Sequence, residues 1–128
     1  MLDHIGIIAS DVKRSKTFYE LALKPLGISV QMPPTPEMIA AGYEGYGFGE
    51  GGKPYFWVGA GTSHAPIHIA FAARGRSDVD AFHAAAMAAG GRDNGPPGIR
   101  EHYHPDYYAA FVLDPDGNNV EAVCHLPA

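Results

Sequence analysis

An offset of 64 residues carries one half of this 128-residue chain onto the other. His4 falls on His68, and each is followed by isoleucine and then a small residue (HIGI, HIAF). Gly27 falls on Gly91, and the glycine-rich run 49–52 lands near Asp114–Gly117. Only residues 74–76 disturb the match, as a small insertion. Such self-similarity fixes architecture before any single element does, and two copies are too few for an open solenoid. A closed pair of units is expected, each burying one face of a sheet under a helix.

The elements repeat in the same order. Residues 2–9 alternate as a half-buried strand, with Leu2, His4, Gly6 and Ile8 on one face and Ile5 and Ile7 on the other. Ser10 is the expected N-cap of an amphipathic helix over 11–24, which Pro25 and Gly27 end. A short strand at 28–32 leads into a proline-bearing loop at 32–38. Tyr43, Tyr46 and Phe48 belong to a strand that ends at the 49–52 turn, and 55–58 is the next strand. Residues 62–66 read as a linker. The second unit has a strand at 67–73 and a helix at 78–89, which Ser77 and Asp80 are expected to cap. A loop at 95–98 follows, then a closing hairpin of two strands, 107–113 and 119–124. The hairpin turns at Asp114-Pro115-Asp116-Gly117, where proline presets φ and glycine supplies a positive one. The predicted architecture is α+β: two paired βαβββ modules, about 1–61 and about 66–126, forming an open cup within a single domain spanning 1–128.

Composition removes several functions. A formal charge of −5 with no Lys/Arg cluster argues against a nucleic-acid surface. One cysteine, Cys124, supports neither a disulfide framework nor a thiolate metal cluster, and it reads as a small core residue. No apolar run approaches the roughly 20 residues of a membrane helix, and no leader pattern opens the chain. These features predict a cytoplasmic protein that meets neither membrane nor nucleic acid.

The chemistry-bearing residues fall on one side of the predicted sheets. Asn119, Glu121 and Val123 share a face, which places a carboxylate inside an otherwise apolar strand. A buried carboxylate is costly without a partner. If the sheets curl together, His4, His68 and Glu121 point into one cleft, beside the small residues Gly6, Ala70 and Ala72. Two imidazoles and one carboxylate form a facial triad with open positions for water or substrate. Each residue alone could instead be a strand residue satisfied by a hydrogen bond. The offset pairs Glu121 with Trp57, or with Phe56 if the register slips by one. No second carboxylate is therefore offered there, and an aromatic could wall a pocket. His102, Tyr103, His104, Tyr107 and Tyr108 cluster before the hairpin. His104 or Tyr107 could serve as general acid/base, and Arg100 could bind a substrate carboxylate. An ordinary surface loop would explain the same residues. His83 falls on a helix, and His64 on the linker.

Four stretches carry a resemblance: DHIGI at the start, residues 15–27 with their S-x-x-F-Y spacing, HIAF, and FVLDPDGNNVEAV. Together they span nearly the whole chain, and the last is the most specific. The chain resembles the vicinal oxygen chelate superfamily, the glyoxalase/bleomycin-resistance/dioxygenase group. The resemblance implies paired βαβββ modules, usually assembled as homodimers. It also implies a divalent metal (Fe, Mn, Ni, Zn or Mg) held by residues matching His4, His68 and Glu121. The lactoylglutathione lyase pattern adds a glutamate where this chain has Trp57, whereas the three-ligand set looks more like that of extradiol dioxygenases. The expected function is a metal-dependent enzyme of isomerase, lyase or dioxygenase type, acting on a small molecule with adjacent oxygens. Trp57, Phe56, Tyr46 and Arg100 would line its pocket. The alternative is a non-catalytic ligand-sequestering protein of the bleomycin-resistance type, with an aromatic cup of Tyr46, Trp57 and Tyr107.

Overall fold

The computed structural model describes residues 1–62 and 65–128. His64, the linker histidine, lies outside the described residues. The first unit runs β1 (Ile5–Ala9), α1 (Val12–Leu23), β2 (Ser29–Met32), α2 (Pro36–Ala40), β3 (Gly45–Glu50) and β4 (Lys53–Ala60). The second runs β5 (His68–Ala72), α3 (Arg76–Ala88), β6 (Arg92–Ile99), β7 (Tyr108–Leu113) and β8 (Asn119–Cys124). Each unit makes a four-stranded sheet of the same topology, ordered β1-β4-β3-β2 and β5-β8-β7-β6. In each, the first strand runs parallel to the last and the remaining pairs are antiparallel. The expected α+β pair of βαβββ modules is what the chain forms.

Four local details differ from the sequence reading. Asp11, not Ser10, caps α1, accepting from the Arg14 amide at 3.1 Å. Ser10 is drawn instead to Asp116 of the distant hairpin turn, its hydroxyl 2.5 Å from Oδ1. Gly75 begins α3 without a side-chain cap, because the helix starts at Arg76, ahead of Ser77. The proline loop at 32–38 contains the start of α2, with Pro36 in its first turn and Thr35 closing a capping box with Met38. The loop at 95–98 is part of β6, an edge strand whose register shifts at Gly95 accommodate Pro96 and Pro97.

Both sheets turn the same side of their alternating pattern into one core. Ile7, Phe48, Phe56 and Val58 from the first sheet join Phe71, Val112, Val120, Ala122 and Cys124 from the second. Phe18, Tyr19, Leu23, Val79 and Phe82 from the packed helices α1 and α3 complete it. Phe56 and Phe71 meet edge to face at 5.2 Å across the two halves. Because the helix-side faces share this core, the other faces look outward. The sequence leaves open whether these faces close a cup within one chain or across a dimer; within the chain, Leu2 and His4 of the first face and His68, Ala70 and Ala72 of the second line one cavity of about 820 Å³.

The hairpin turn bolts the halves together. Asp114, 3% exposed, accepts from the Tyr19 hydroxyl of α1 at 2.5 Å, from the Asp116 and Asn118 amides, and from Asn118 Nδ2. Asn118 Oδ1 in turn accepts from the Ile67 amide at 3.0 Å, just before β5. Burial, then the charge of Asp114, pushes the Tyr19 phenol up. The stability this group contributes is whole below the ordinary tyrosine value of about 10. It is lost as pH rises from there through the folded value. In alkaline denaturation followed by circular dichroism, stability should therefore fall above about pH 10. Tyr19→Phe should flatten part of that fall, while costing about 1–3 kcal/mol at neutral pH for the lost bond to a carboxylate. An unchanged alkaline slope would show that Tyr19 does not control it.

Candidate metal and substrate site

The register confirms which residues share the open faces. In the second sheet His68 pairs with Asn119, Ala70 with Glu121 and Phe111 with Glu121. Residues opposite one another point the same way, so His68, Ala70, Phe111 and Glu121 lie together. Glu121 is 1% exposed, yet both its oxygens are partnered. Oε1 stands 2.8 Å from His68 Nε2, and Oε2 accepts from the Tyr107 hydroxyl at 2.5 Å. Desolvation, then the bond to Glu121, pushes the Tyr107 phenol up to about 12. At neutral pH it is a protonated donor. Two hydrogen bonds thus already answer the cost of burying Glu121, and a cation is not needed for that purpose alone.

The first sheet presents a different wall. Gly6 pairs with Trp57 as Ala70 pairs with Glu121, so Trp57 occupies the position Glu121 holds in the second module. His4 lies one residue before β1, its side chain 59% exposed, with Nδ1 2.7 Å from Asp3 Oδ1. Asp3 is itself held by Lys53 at 2.9 Å. Asp3 is lowered chiefly by its bond to His4, then by Lys53. A carboxylate only accepts, so Nδ1 carries the hydrogen and Nε2 is the nitrogen left for a ligand.

The sequence-predicted residues therefore divide. His68, Glu121 and Tyr107 are hydrogen-bonded together; His4 makes no contact with them but lines the same cavity of about 820 Å³ as His68. Among the described residues, no three histidine, cysteine or acidic side chains cluster as a metal site. His104 does not reach Glu121. Its Nδ1 accepts from the Asp106 amide at 3.0 Å, and its Nε2 stands 2.6 Å from His125 Nδ1. Both its nitrogens are engaged, and it meets Tyr107 only edge-on, with ring centroids 5.5 Å apart. Arg100 lies over the Phe111 ring, with its terminal nitrogens on the Gly98 and Pro96 carbonyls. Phe56 is fully buried in the core and Tyr46 packs against it, so neither lies on the open face. Helix-side alternation puts them there: Tyr46 pairs with Val58 and Phe48 with Phe56. His83 binds Asp93 at 2.9 Å, away from the site. Sequence reasoning missed Asp3, Met38 and Tyr43. Thr35 followed by Pro36, a helix-start signal, would have exposed α2 and with it Met38.

The model of the glyoxalase/bleomycin resistance protein/dioxygenase superfamily matches residues 1–122. The chain belongs to that superfamily. A glyoxalase/bleomycin resistance protein from Albidiferax ferrireducens T118 is 30% identical, each chain covering 97% of the other, with a TM-score of 0.71. A glyoxalase/bleomycin resistance protein/dioxygenase family enzyme from Burkholderia phytofirmans PsJN is 22% identical over 97% of this chain and 98% of its own, with a TM-score of 0.69. A glyoxalase I mutant from Zea mays is 20% identical over 95% of this chain but only 46% of its own, with a TM-score of 0.70. The latter two likenesses establish the fold. Comparison with curated proteins gives no match. Among the described residues, no helix of this superfamily member is long and apolar enough to cross a membrane.

Proposed function

We propose that this superfamily member is a metal-dependent enzyme working as a homodimer on a small substrate with two adjacent oxygens. His68 and Glu121 of one chain and His4 of the other would hold the metal. The observation that carries the reading is the pairing of His68 Nε2 with Glu121 Oε1 at 2.8 Å on an outward face. Two ligand atoms at right angles, each about 2.1 Å from one ion, stand about 3 Å apart. The pair therefore suits two adjacent positions of a divalent first-row ion such as Fe, Mn, Ni or Zn, or of Mg.

The second histidine would come from another copy. β1 and β5 are the outer strands of their sheets, with Gly6, Ala70 and Ala72 on the open faces. Outer strands are where another chain can pair. A two-fold axis that lays the first module of one copy against the second module of its partner would create two equal sites. It would cover both edges.

A divalent ion supplies Lewis-acid stabilisation of charge developing on chelated oxygens. The chain's own groups then do the rest. Glu121 and His68 fix the ligand geometry. Tyr107, kept protonated, donates its one hydrogen to Glu121 and holds that carboxylate in place. Trp57 cannot carry a proton, so a second carboxylate base on the facing wall is missing, which disfavours hemithioacetal isomerisation. Dioxygenase chemistry fits this asymmetry better.

The hydrogen bonds of Glu121 to His68 and Tyr107 also suit a second reading, a non-catalytic binder. Metal content decides between them. Manganese, iron(II), nickel or zinc at one hundred times its dissociation constant should stabilise the protein by about 2.7 kcal/mol. His68→Ala should abolish that gain and still fold, since its side chain is 53% exposed. A protein that no metal stabilises is the binder, and a stoichiometric metal retained by His68→Ala removes His68 from the site.

A further inference from the structure

The first module's open face carries a recess of which the metal reading uses His4 alone. Its volume is about 360 Å³, and His4, Gly6, Met38, Tyr43 and Trp57 line it. Tyr43 and Trp57 meet at an angle of 65°, ring centroids 6.4 Å apart. The sheet beneath them is cut away to admit the rings. A Cβ at Gly45 would strike the Tyr43 hydroxyl, one at Gly59 would lie 2.7 Å from the same atom, and one at Gly47 would lie 2.9 Å from Trp57 Cη2. Gly45 pairs with Gly59 and Gly47 with Trp57, so the bare patch is continuous across β3 and β4. Helix α2 brings Met38 to the rim, and Tyr43 follows it, its amide bonded to the Met38 carbonyl at 2.9 Å.

We infer that this recess takes a planar unsaturated ring of the substrate, stacked against Trp57 and Tyr43 beside His4. The chemistry of the lining selects such a group. Two aromatic rings and a thioether favour a flat, polarisable partner, and His4 is the only titratable side chain of the lining besides the Tyr43 phenol. Two substrate features follow: a ring, and near it two adjacent oxygens. The position of the oxygens rests on the metal site proposed above; the ring's place in the recess does not.

Trp57 is the chain's single tryptophan, so its emission reports this recess directly. Mandelate and lactate offer the same carboxylate and adjacent hydroxyl, one with a phenyl group and the other with a methyl. Both are titrated into the full-length protein, with and without zinc, by tryptophan fluorescence and calorimetry. Mandelate should bind about tenfold tighter or better, on the apolar area it buries, and should alter Trp57 emission where lactate does not. Tyr43→Ala and Met38→Ala should each shrink that preference while leaving zinc stabilisation unchanged; the two variants guard against a folding defect in either. Equal affinity for the two acids, with zinc still stabilising the protein, would overturn the ring site and spare the metal site. A phenyl preference that persists without any zinc effect would support the ring site and end the metal reading.

Discussion

Replacing Asp114 with alanine should lower the unfolding free energy by about 3 kcal/mol or more. The side chain accepts four hydrogen bonds in a nearly dry position. Its loss strands the Tyr19 hydroxyl, the Asn118 amide and Asn118 Nδ2, and each buried polar group without a partner costs about 1–3 kcal/mol. In a chain of this size the melting temperature should drop by on the order of 10 °C. Thermal and urea denaturation measure it. Asp114→Asn keeps the shape and one acceptor oxygen, which can serve the Asp116 and Asn118 amides while its NH2 group faces Tyr19 and Asn118 Nδ2; it should lose less than Asp114→Ala. A shift of only a degree or two in Asp114→Ala would mean that the turn does not hold the halves together.

Mixing two inactive variants should regenerate metal sites. His4→Ala and His68→Ala chains would each be unable to build a complete site alone. After unfolding and refolding together in equal amounts, about half the dimers are mixed. In a mixed dimer one site lacks both histidines and the other lacks neither. Roughly a quarter of the wild-type metal content should therefore return. Metal analysis after desalting reads the result, with each variant refolded alone as the baseline near zero. If the mixture binds no more than its parents, His4 does not act across an interface. A monomer by analytical ultracentrifugation would sink the composite site more directly.

The architecture was legible because the 64-residue offset survives in three dimensions. The register puts His4 and His68 at matching points, and it sets Trp57 where Glu121 stands in the other copy. Alternation also sorted the sheet faces correctly for β1, β5 and β8, since a period of two leaves no freedom once one face is buried. Aromatic character points Tyr46 and Phe56 at a pocket, whereas their parity turns them to the core side; Phe56 still lines the cavity that His4 and His68 share. Proline content concealed α2 and β6. In α2 the proline sits in the first turn, where no amide is needed, and in β6 it lies on a sheet edge. His104 was read from its position beside Tyr107. The engagement of both its nitrogens depends on His125, 21 residues away, which no local pattern reveals. Whether the open faces meet was beyond periodicity altogether. That is decided by α1 packing on α3 rather than each helix covering only its own sheet.

The grip of Asp114 and Asn118 has a consequence for how such a duplicated chain divides. One five-residue corner holds a tyrosine from the first copy, the entrance to the strand bearing His68, and the root of the strand bearing Glu121. The two copies have given up their separate interiors. A half-length polypeptide cut at the linker would expose the inner surface of its sheet, and it would need a stand-in for its lost twin before it could fold.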